Sequence, residues 1–166
     1  MHRLLTLFLL SVFAGCTNLS GAEAIERIRI ATTQCYGSCP AFEIIVSKDG
    51  SGRFDGEAFV KKTGRHSFRA TSMQFMALRD RLEPFRPKSD ERYDEGNCDA
   101  PLATDNPSIA ITWYFADDEK VTLDWYLGCH HPELRDNTEI IYDAWEELPL
   151  HDLVGSEDER DGYNAG

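Results

Sequence analysis

Four cysteines in the body of the chain are the residues whose type and spacing most directly suggest chemistry: Cys35, Cys39, Cys98 and Cys129. In a chain that leaves the cytoplasm, an even number of cysteines indicates disulfides, and four cysteines allow three connectivities. Locality favours Cys35–Cys39 and Cys98–Cys129. Residues four apart on a helical turn lie about 6 Å apart, which is within the range that a disulfide accepts.

A redox role for Cys35 and Cys39 is the alternative to a structural bridge. Thioredoxin-like sites place C-x-x-C between a strand and a helix, whose N-terminus lowers the pKa of one thiol. Here the spacing is one residue longer, Pro40 leads into a strand, and no basic residue stands between Arg29 and Lys48. We therefore predict a structural bridge with a reduction potential below about −300 mV, measurable by thiol trapping in glutathione buffers.

The run Cys129-His130-His131 raises the question of a metal site. Neighbouring side chains on extended backbone point to opposite faces, so adjacent ligands rarely converge on one ion. Asp124 and His151 could join them only through the fold. We interpret the two histidines as surface residues that precede a helix, and we predict no metal ligands and no cofactor.

The remaining candidates for catalysis are hydroxyl, imidazole and carboxylate side chains: Ser67, Ser108, His66, Glu43, Asp55 and Glu57. The serines lie in no G-x-S-x-G or comparable pattern. The carboxylates fall on the polar face of strands by alternation, and their spacing identifies no acid–base pair. We predict no catalytic residues.

The start of the chain is typical of an export signal. Arg3 precedes an apolar run of eleven residues from Leu4 to Ala14, whereas a membrane-spanning helix needs about twenty. The run is followed at once by Gly15 and Cys16, and Phe13-Ala14-Gly15-Cys16 resembles the lipobox of bacterial lipoproteins, in which the cysteine becomes the first residue and is acylated. Cleavage after Ala24 is the competing interpretation.

On this interpretation residues 1–15 are a lipoprotein signal peptide, Cys16 is the lipidation site, and residues 16–24 are a tether that reaches about 30 Å. The anchored protein would belong to the bacterial cell envelope and face the periplasm. Thr17, rather than Asp, after the cysteine favours the outer membrane under the enterobacterial sorting rule.

Composition excludes several classes of protein. Removing residues 1–15 from 166 leaves 151, the size of one ordinary domain. The chain has 17 basic and 29 acidic residues, a formal charge of −12, which argues against a nucleic-acid partner because phosphate binding requires a stripe of Lys and Arg. Apolar residues at 42% and charged residues at 28% exclude an integral membrane protein and a fully disordered chain.

Alternation of apolar and polar residues predicts strands in the first half of the chain and in one later hairpin. The apolar residues predicted to share one face of each strand are Ile28 and Ile30, then Phe42, Ile44 and Val46, then Phe54, Ala58 and Val60. A further short strand ends near Arg69. In the later hairpin, the residues of one face are Ile109, Ile111, Trp113 and Phe115 on the first strand and Val121, Leu123, Trp125 and Leu127 on the second. Asp49-Gly50 predicts a type I′ turn. Tyr114 and Tyr126, on the hairpin's other face with Asp124, could form an exposed aromatic patch or be covered by a helix.

Two helices complete the predicted fold. Thr71 and Gln74 form a capping box before a stripe of Phe75, Leu78, Leu82 and Phe85. An irregular connection of about twenty residues follows over 86–106, a length that calls for a staple or a function. Pro132 opens a second helix with Leu134, Ile141, Trp145 and Leu148 inward.

The order ββββαββα predicts an α+β domain over residues 25–150, with an antiparallel sheet of about six strands and two helices packed on one face. Residues 151–166 are predicted as an acidic disordered tail.

Two stretches of this domain resemble the domain of unknown function 6438 family. The first is Cys35-Tyr36-Gly37-Ser38-Cys39-Pro40-Ala41-Phe42, followed by Asp49-Gly50 and Gly56; the second is Thr104-Asp105-Asn106-Pro107-Ser108 before a strand. The resemblance spans roughly residues 25–148. It implies a bacterial envelope protein, often a lipoprotein, and it supplies no catalytic residues.

We expect a non-catalytic binding or scaffolding domain, held at the membrane by its lipid anchor, with an envelope protein or ligand as its partner. Three alternatives stay open: a thiol–disulfide active protein, a metal-binding periplasmic protein and an inhibitor of an envelope enzyme.

Overall fold

The computed structural model describes residues 24–98 and 102–160, and these form one sheet with helices on one side. The strands are β1 Ile25–Thr32, β2 Ala41–Ser47, β3 Ser51–Ala58, β4 Gly64–Arg69, β5 Glu91–Tyr93, β6 Ser108–Phe115 and β7 Lys120–Tyr126. Their order across the sheet is β4-β3-β2-β1-β6-β7-β5. Every pair is antiparallel except β5 with β7, which is parallel. The predicted α+β class is confirmed, with seven strands instead of about six.

One main helix and several short ones follow the strands. They are α1 Ser72–Leu82, α2 Pro132–Arg135, α3 Thr138–Tyr142 and α4 His151–Val154, with 3₁₀ turns at Glu83–Phe85, Ala144–Glu147 and Glu157–Glu159. The main helix begins as predicted, because the Thr71 hydroxyl accepts from the Gln74 amide and the Gln74 side chain accepts from the Thr71 amide. None of the helices in the described ranges is long and apolar enough to cross a membrane.

The two faces of the sheet differ sharply, as the period-two pattern predicts. The face that we call inward packs against the helices, and its largest side chains are fully buried: Ile28, Ile30, Ile44, Phe54, Ile109, Ile111, Trp113, Leu123 and Trp125. Helix residues Phe75, Leu78 and Leu82 complete this core. The other face, which we call the open face, carries mainly polar and charged side chains that are half-buried or exposed.

The seventh strand lies inside the connection that was predicted to be irregular. β5 has only three residues, too few to show alternation, and it pairs with β7 through tertiary contacts. The Asp90 carboxylate beside it accepts from the Thr122 amide at 2.8 Å. Local sequence carries no pattern for such a short strand.

The predicted second helix from Pro132 is broken into separate turns. Asn137 (φ −119°, ψ 20°) and Asp143 (φ −93°, ψ 14°) interrupt it. Asn and Asp favour such interruptions because their side chains compete for backbone hydrogen bonds. The inward residues Leu134, Ile141, Trp145 and Leu148 are nevertheless buried as the pattern predicts.

The chain remains folded beyond the predicted boundary at residue 150. Val154 is fully buried, and its carbonyl accepts from the Lys61 amide at 2.9 Å. The Lys61 ammonium and the Glu159 carboxylate lie 2.7 Å apart. Acidic composition predicted a disordered tail over 151–166, but residues 151–160 pack on the turn after β3. The rest of that predicted tail, the predicted signal peptide, Cys16 and all of the predicted tether except Ala24 lie outside the described residues.

The Asp49-Gly50 hairpin forms where it was predicted, with a different turn. Of these two residues only Gly50 has a positive φ, 84°, whereas a type I′ turn needs both. The Asp49 carboxylate instead accepts from the Ser51 amide at 2.8 Å.

Candidate functional site

Two loops meet at one end of the sheet, because β1 ends where its antiparallel neighbour β6 begins. Residues 33–40 follow β1 and residues 103–107 precede β6, and these loops contain most of the two stretches that carried the family resemblance. The Tyr36 amide donates to the Asp105 carbonyl at 3.2 Å. The Ser108 amide donates to the Thr33 hydroxyl at 2.8 Å. We call this region the motif-loop end of the sheet.

The first loop is closed by a disulfide between Cys35 and Cys39, whose Cα atoms lie 5.6 Å apart. Gly37 turns the chain inside this short ring with a φ of 148°, a conformation that glycine adopts readily. Tyr36 stands on the same ring with 89% of its surface exposed. A large aromatic side chain on a covalently closed loop loses little conformational freedom when it binds a partner.

The second loop is held by Tyr126 of β7. The Tyr126 hydroxyl donates to the Ala103 carbonyl at 3.0 Å and accepts from the Asn106 amide at 3.3 Å. Gly128 also approaches this loop so closely that a Cβ there would lie 1.9 Å from the Ala103 carbonyl oxygen. The backbone at this position therefore requires glycine.

A second disulfide, between Cys98 and Cys129, ties the connection after β5 to the segment after β7, with Cα atoms 5.2 Å apart. Cys129 is fully buried, and its carbonyl accepts from the Trp125 indole at 3.1 Å. The structure thus has the pairing that locality favoured, and both bridges lie next to the motif loops.

A cavity of about 500 Å³ opens on the open face beside the first loop. Its walls are Arg29, Ala31, Thr32, Thr33, Phe42, Glu43, Asp55, Gly56 and Glu57. The Gln34 amide donates to the Glu57 carboxylate at 3.3 Å, so the loop that carries Tyr36 forms part of the rim. A smaller cavity of about 350 Å³ is lined by Asp94, Glu95, Ser108 and Tyr126. Volumes of this size accept small ligands.

Charged side chains on the open face pair with one another. Glu43 accepts from Arg29 at 2.8 Å and from Arg53 at 3.0 Å. Asp55 lies 3.5 Å from Arg65. Glu43 and Asp55, which lie opposite each other on neighbouring strands, are therefore each paired with arginine.

The predicted tyrosine patch does not form a free aromatic surface. Tyr114 lies beneath the Arg27 guanidinium, 4.9 Å from the ring centre, and Tyr126 is used to hold the second loop. Asp124 pairs with Arg92 at 2.6 Å. The helices of the described ranges pack on the inward face and leave these side chains uncovered.

The candidate metal ligands are dispersed. Cys129 is in a disulfide, the His131 ring packs on Tyr93 with 4.4 Å between centroids, and His151 lies against Trp145. His130 is exposed. Across residues 24–98 and 102–160 no group of three or more His, Cys, Asp or Glu side chains could hold a metal ion.

The candidate nucleophiles are also separated. Ser67 lies on the open face of edge strand β4, while His66 points inward against the Phe54 ring and its Nε2 contacts the Thr63 carbonyl at 2.9 Å. Ser108 lies four strands away on β6. The fold does not bring them together.

Two of the shifted pKa values belong to residues of the helical layer, Tyr142 and Asp143. Burial raises the pKa of Tyr142 to about 12, and burial also raises the pKa of Asp143. Both residues belong to the helical side. These shifts follow from desolvation in the helical layer and supply no chemistry at the loops.

Sequence reasoning missed the exposure of Tyr36 and the pairing of Glu43 with two arginines. The position of Tyr36 between two cysteines four residues apart was a usable signal, because a ring that small leaves its residues little room to turn inward. The contact of Glu43 with Arg29 depends on β1 lying beside β2, which no local pattern reveals.

The fold and these loops define a disulfide-bridged α+β domain, in which the described helices cover one face of the sheet and leave the other open. A family model described as Domain of unknown function (DUF6438) matches residues 26–144, which include both motif loops and all seven strands except the first residue of β1. Because the match covers well over half of the 166 residues, the chain belongs to this family. No curated protein shows significant similarity to it.

Proposed function

We propose that this chain is an exported, lipid-anchored domain that binds a partner at its motif-loop end without catalysing a reaction. The observation that carries the proposal is Tyr36, which is 89% exposed on a disulfide-closed loop beside a cavity of about 500 Å³. Exposed large aromatic residues on rigid supports are frequent centres of binding energy.

The anchor rests on the sequence. Cys16 follows an apolar run that is too short to span a membrane. Acyl chains on the cysteine would anchor the protein, because each CH₂ group buried in the bilayer contributes about 0.8 kcal/mol of binding free energy. The tether from Cys16 would hold the domain at a membrane of the cell envelope, facing the periplasm. Thr17 after the cysteine favours the outer membrane over the inner one.

Cell fractionation tests the anchor. We expect Cys16→Ala to release the protein from the membrane fraction or to leave its leader uncleaved. Ala24→Val serves as the matched control, since it disturbs only the competing cleavage site. A Cys16→Ala protein that is still processed and membrane-bound would contradict the lipoprotein assignment.

Photo-crosslinking in intact cells tests the binding surface. A photoreactive phenylalanine analogue at position 36 should give a discrete adduct, whether to protein or to glycan. The same analogue at Met73, which is 72% exposed on α1, is the control and should give none. Equal labelling from both positions would refute a binding site at the motif-loop end.

A further inference from the structure

The cavity beside the first motif loop includes Ala31 of β1, and we infer from the residues next to it in the sheet that a shallow groove runs from there across the open face. In one row across the strands, Asp55 is opposite Glu43, Glu43 is opposite Ala31, and Ala31 is opposite Ala110. Ala110 is in turn opposite Asp124. Two of the smallest side chains therefore lie between carboxylates and leave room above the backbone, below the two motif loops.

The walls of this groove are polar, and three of their carboxylates, on Glu43, Asp55 and Asp124, are paired with arginines, while Glu57 accepts from the neutral Gln34 amide. Glu43 is shared by Arg29 and Arg53. Asp55 faces Arg65, and Asp124 faces Arg92. A strongly charged ligand would have to break these pairs and would leave one partner of each unmatched, which is costly wherever the pair is partly desolvated.

A neutral ligand with many hydroxyl groups suits such walls. Each hydroxyl can donate to a carboxylate and accept from a guanidinium or from Thr33, so both members of an ion pair gain hydrogen bonds without being separated. The exposed ring of Tyr36, carried by the loop at the rim, offers an apolar platform for the C–H face of a sugar ring.

We propose that the motif-loop end binds a neutral saccharide chain, which lies in the groove over Ala31 and Ala110 and stacks a sugar ring on Tyr36. This assignment rests on the proposed binding function and specifies the ligand class. A basic peptide attracted by Asp55 and Glu57 is the main competitor, and the test below separates the two.

The test is a nuclear magnetic resonance titration of the chain from Thr17 to Gly166, which contains every described residue. The probes are maltotriose, cellotriose and N,N′-diacetylchitobiose, each at millimolar concentrations, with oligolysine as the charged comparison. We expect at least one saccharide to shift backbone signals of residues 31–36 and 103–110. Its affinity should be nearly independent of salt, because no net charge is neutralised.

Three variants sharpen the result. Tyr36→Ala should weaken saccharide binding about tenfold, the size of loss typical when a central aromatic contact is truncated. Tyr36→Phe should keep the affinity, since stacking does not use the hydroxyl. Ala31→Leu should abolish binding by filling the groove, while Met73→Ala on the opposite side should change nothing.

Absence of any saccharide-induced shift, or shifts from oligolysine alone that vanish at high salt, would overturn the saccharide assignment. A crosslinked protein at position 36 together with a failed saccharide titration would leave the proposed binding function standing and refute only the ligand class.

Discussion

The two disulfides close rings of very different size, and they lie in different surroundings. Cys98–Cys129 spans 31 positions of sequence and includes a fully buried cysteine, whereas Cys35–Cys39 spans four and lies in a partly exposed loop. In the chain-entropy model the larger ring contributes about 4 kcal/mol to the free energy of unfolding and the smaller about 2 kcal/mol. The larger ring mainly stabilises the domain, while the smaller one shapes a surface.

The largest effect is expected from the larger ring. Replacing Cys98 and Cys129 together by Ala should lower the free energy of unfolding by about 4 kcal/mol, because the unfolded chain regains its freedom and a buried contact is lost. Denaturant titration measures this, and mass spectrometry of the unreduced digest checks the pairing. A Cys35–Cys98 or Cys39–Cys129 peptide would contradict the connectivity.

The segment beside the larger ring should also be destabilised by added side-chain volume. Gly128→Ala places a methyl group against the Ala103 carbonyl, and we expect it to cost about 3 kcal/mol of unfolding free energy through forced backbone shifts. Gly96→Ala is the control, since the atom nearest to a Cβ at that position is a movable carboxylate oxygen of Asp94, 3.3 Å away. Equal stability of the two variants would show that this contact relaxes freely.

A smaller and more local effect is expected from the smaller ring. Replacing Cys35 and Cys39 by Ala should cost about 2 kcal/mol of unfolding free energy. The Tyr36 amide, which donates a hydrogen bond to the Asp105 carbonyl, should exchange its hydrogen much faster in this variant than in the unmodified chain. The amides of the central strands should exchange only as fast as the lower free energy of global unfolding requires. A loss as large as that for Cys98 and Cys129 would remove the distinction between the two bridges.

A third tie, non-covalent and sensitive to pH, provides the smallest effect. The Lys61 ammonium and hydrogen bonds from Ser156 lower the pKa of Glu159 to about 2, from an ordinary 4.5. A lowered carboxyl pKa means that this contact is complete above pH 4.5 and is lost as the pH falls towards 2.

Carboxyl signals followed by nuclear magnetic resonance during acid titration measure this tie. The Glu159 midpoint should fall well below its ordinary value of 4.5. In the Lys61→Gln variant the Glu159 midpoint should move upward towards its ordinary value. A Glu159 midpoint near 4.5 in the unmodified chain would show that the C-terminal segment is not held by this pair.

Local sequence was sufficient wherever one element decides its own structure. The Thr71–Gln74 capping box and the stripe of Phe75, Leu78 and Leu82 lie as predicted, because helix capping and amphipathicity depend on residues three and four apart. It was insufficient for β5 and for the segment after residue 150, where the chain is ordered by contacts with distant residues such as Lys61.

The sequence by itself determined which side chains of each strand point inward, since alternation has a period of two and burial selects the apolar set. It also favoured the pairing of the cysteines. Only the tertiary structure decided that β1 lies between β2 and β6. That strand order brings Glu43 beside Arg29 and places the two motif loops next to each other. The physical reason is that strands pair through backbone hydrogen bonds, which every sequence offers alike, so local sequence does not select the partner strand.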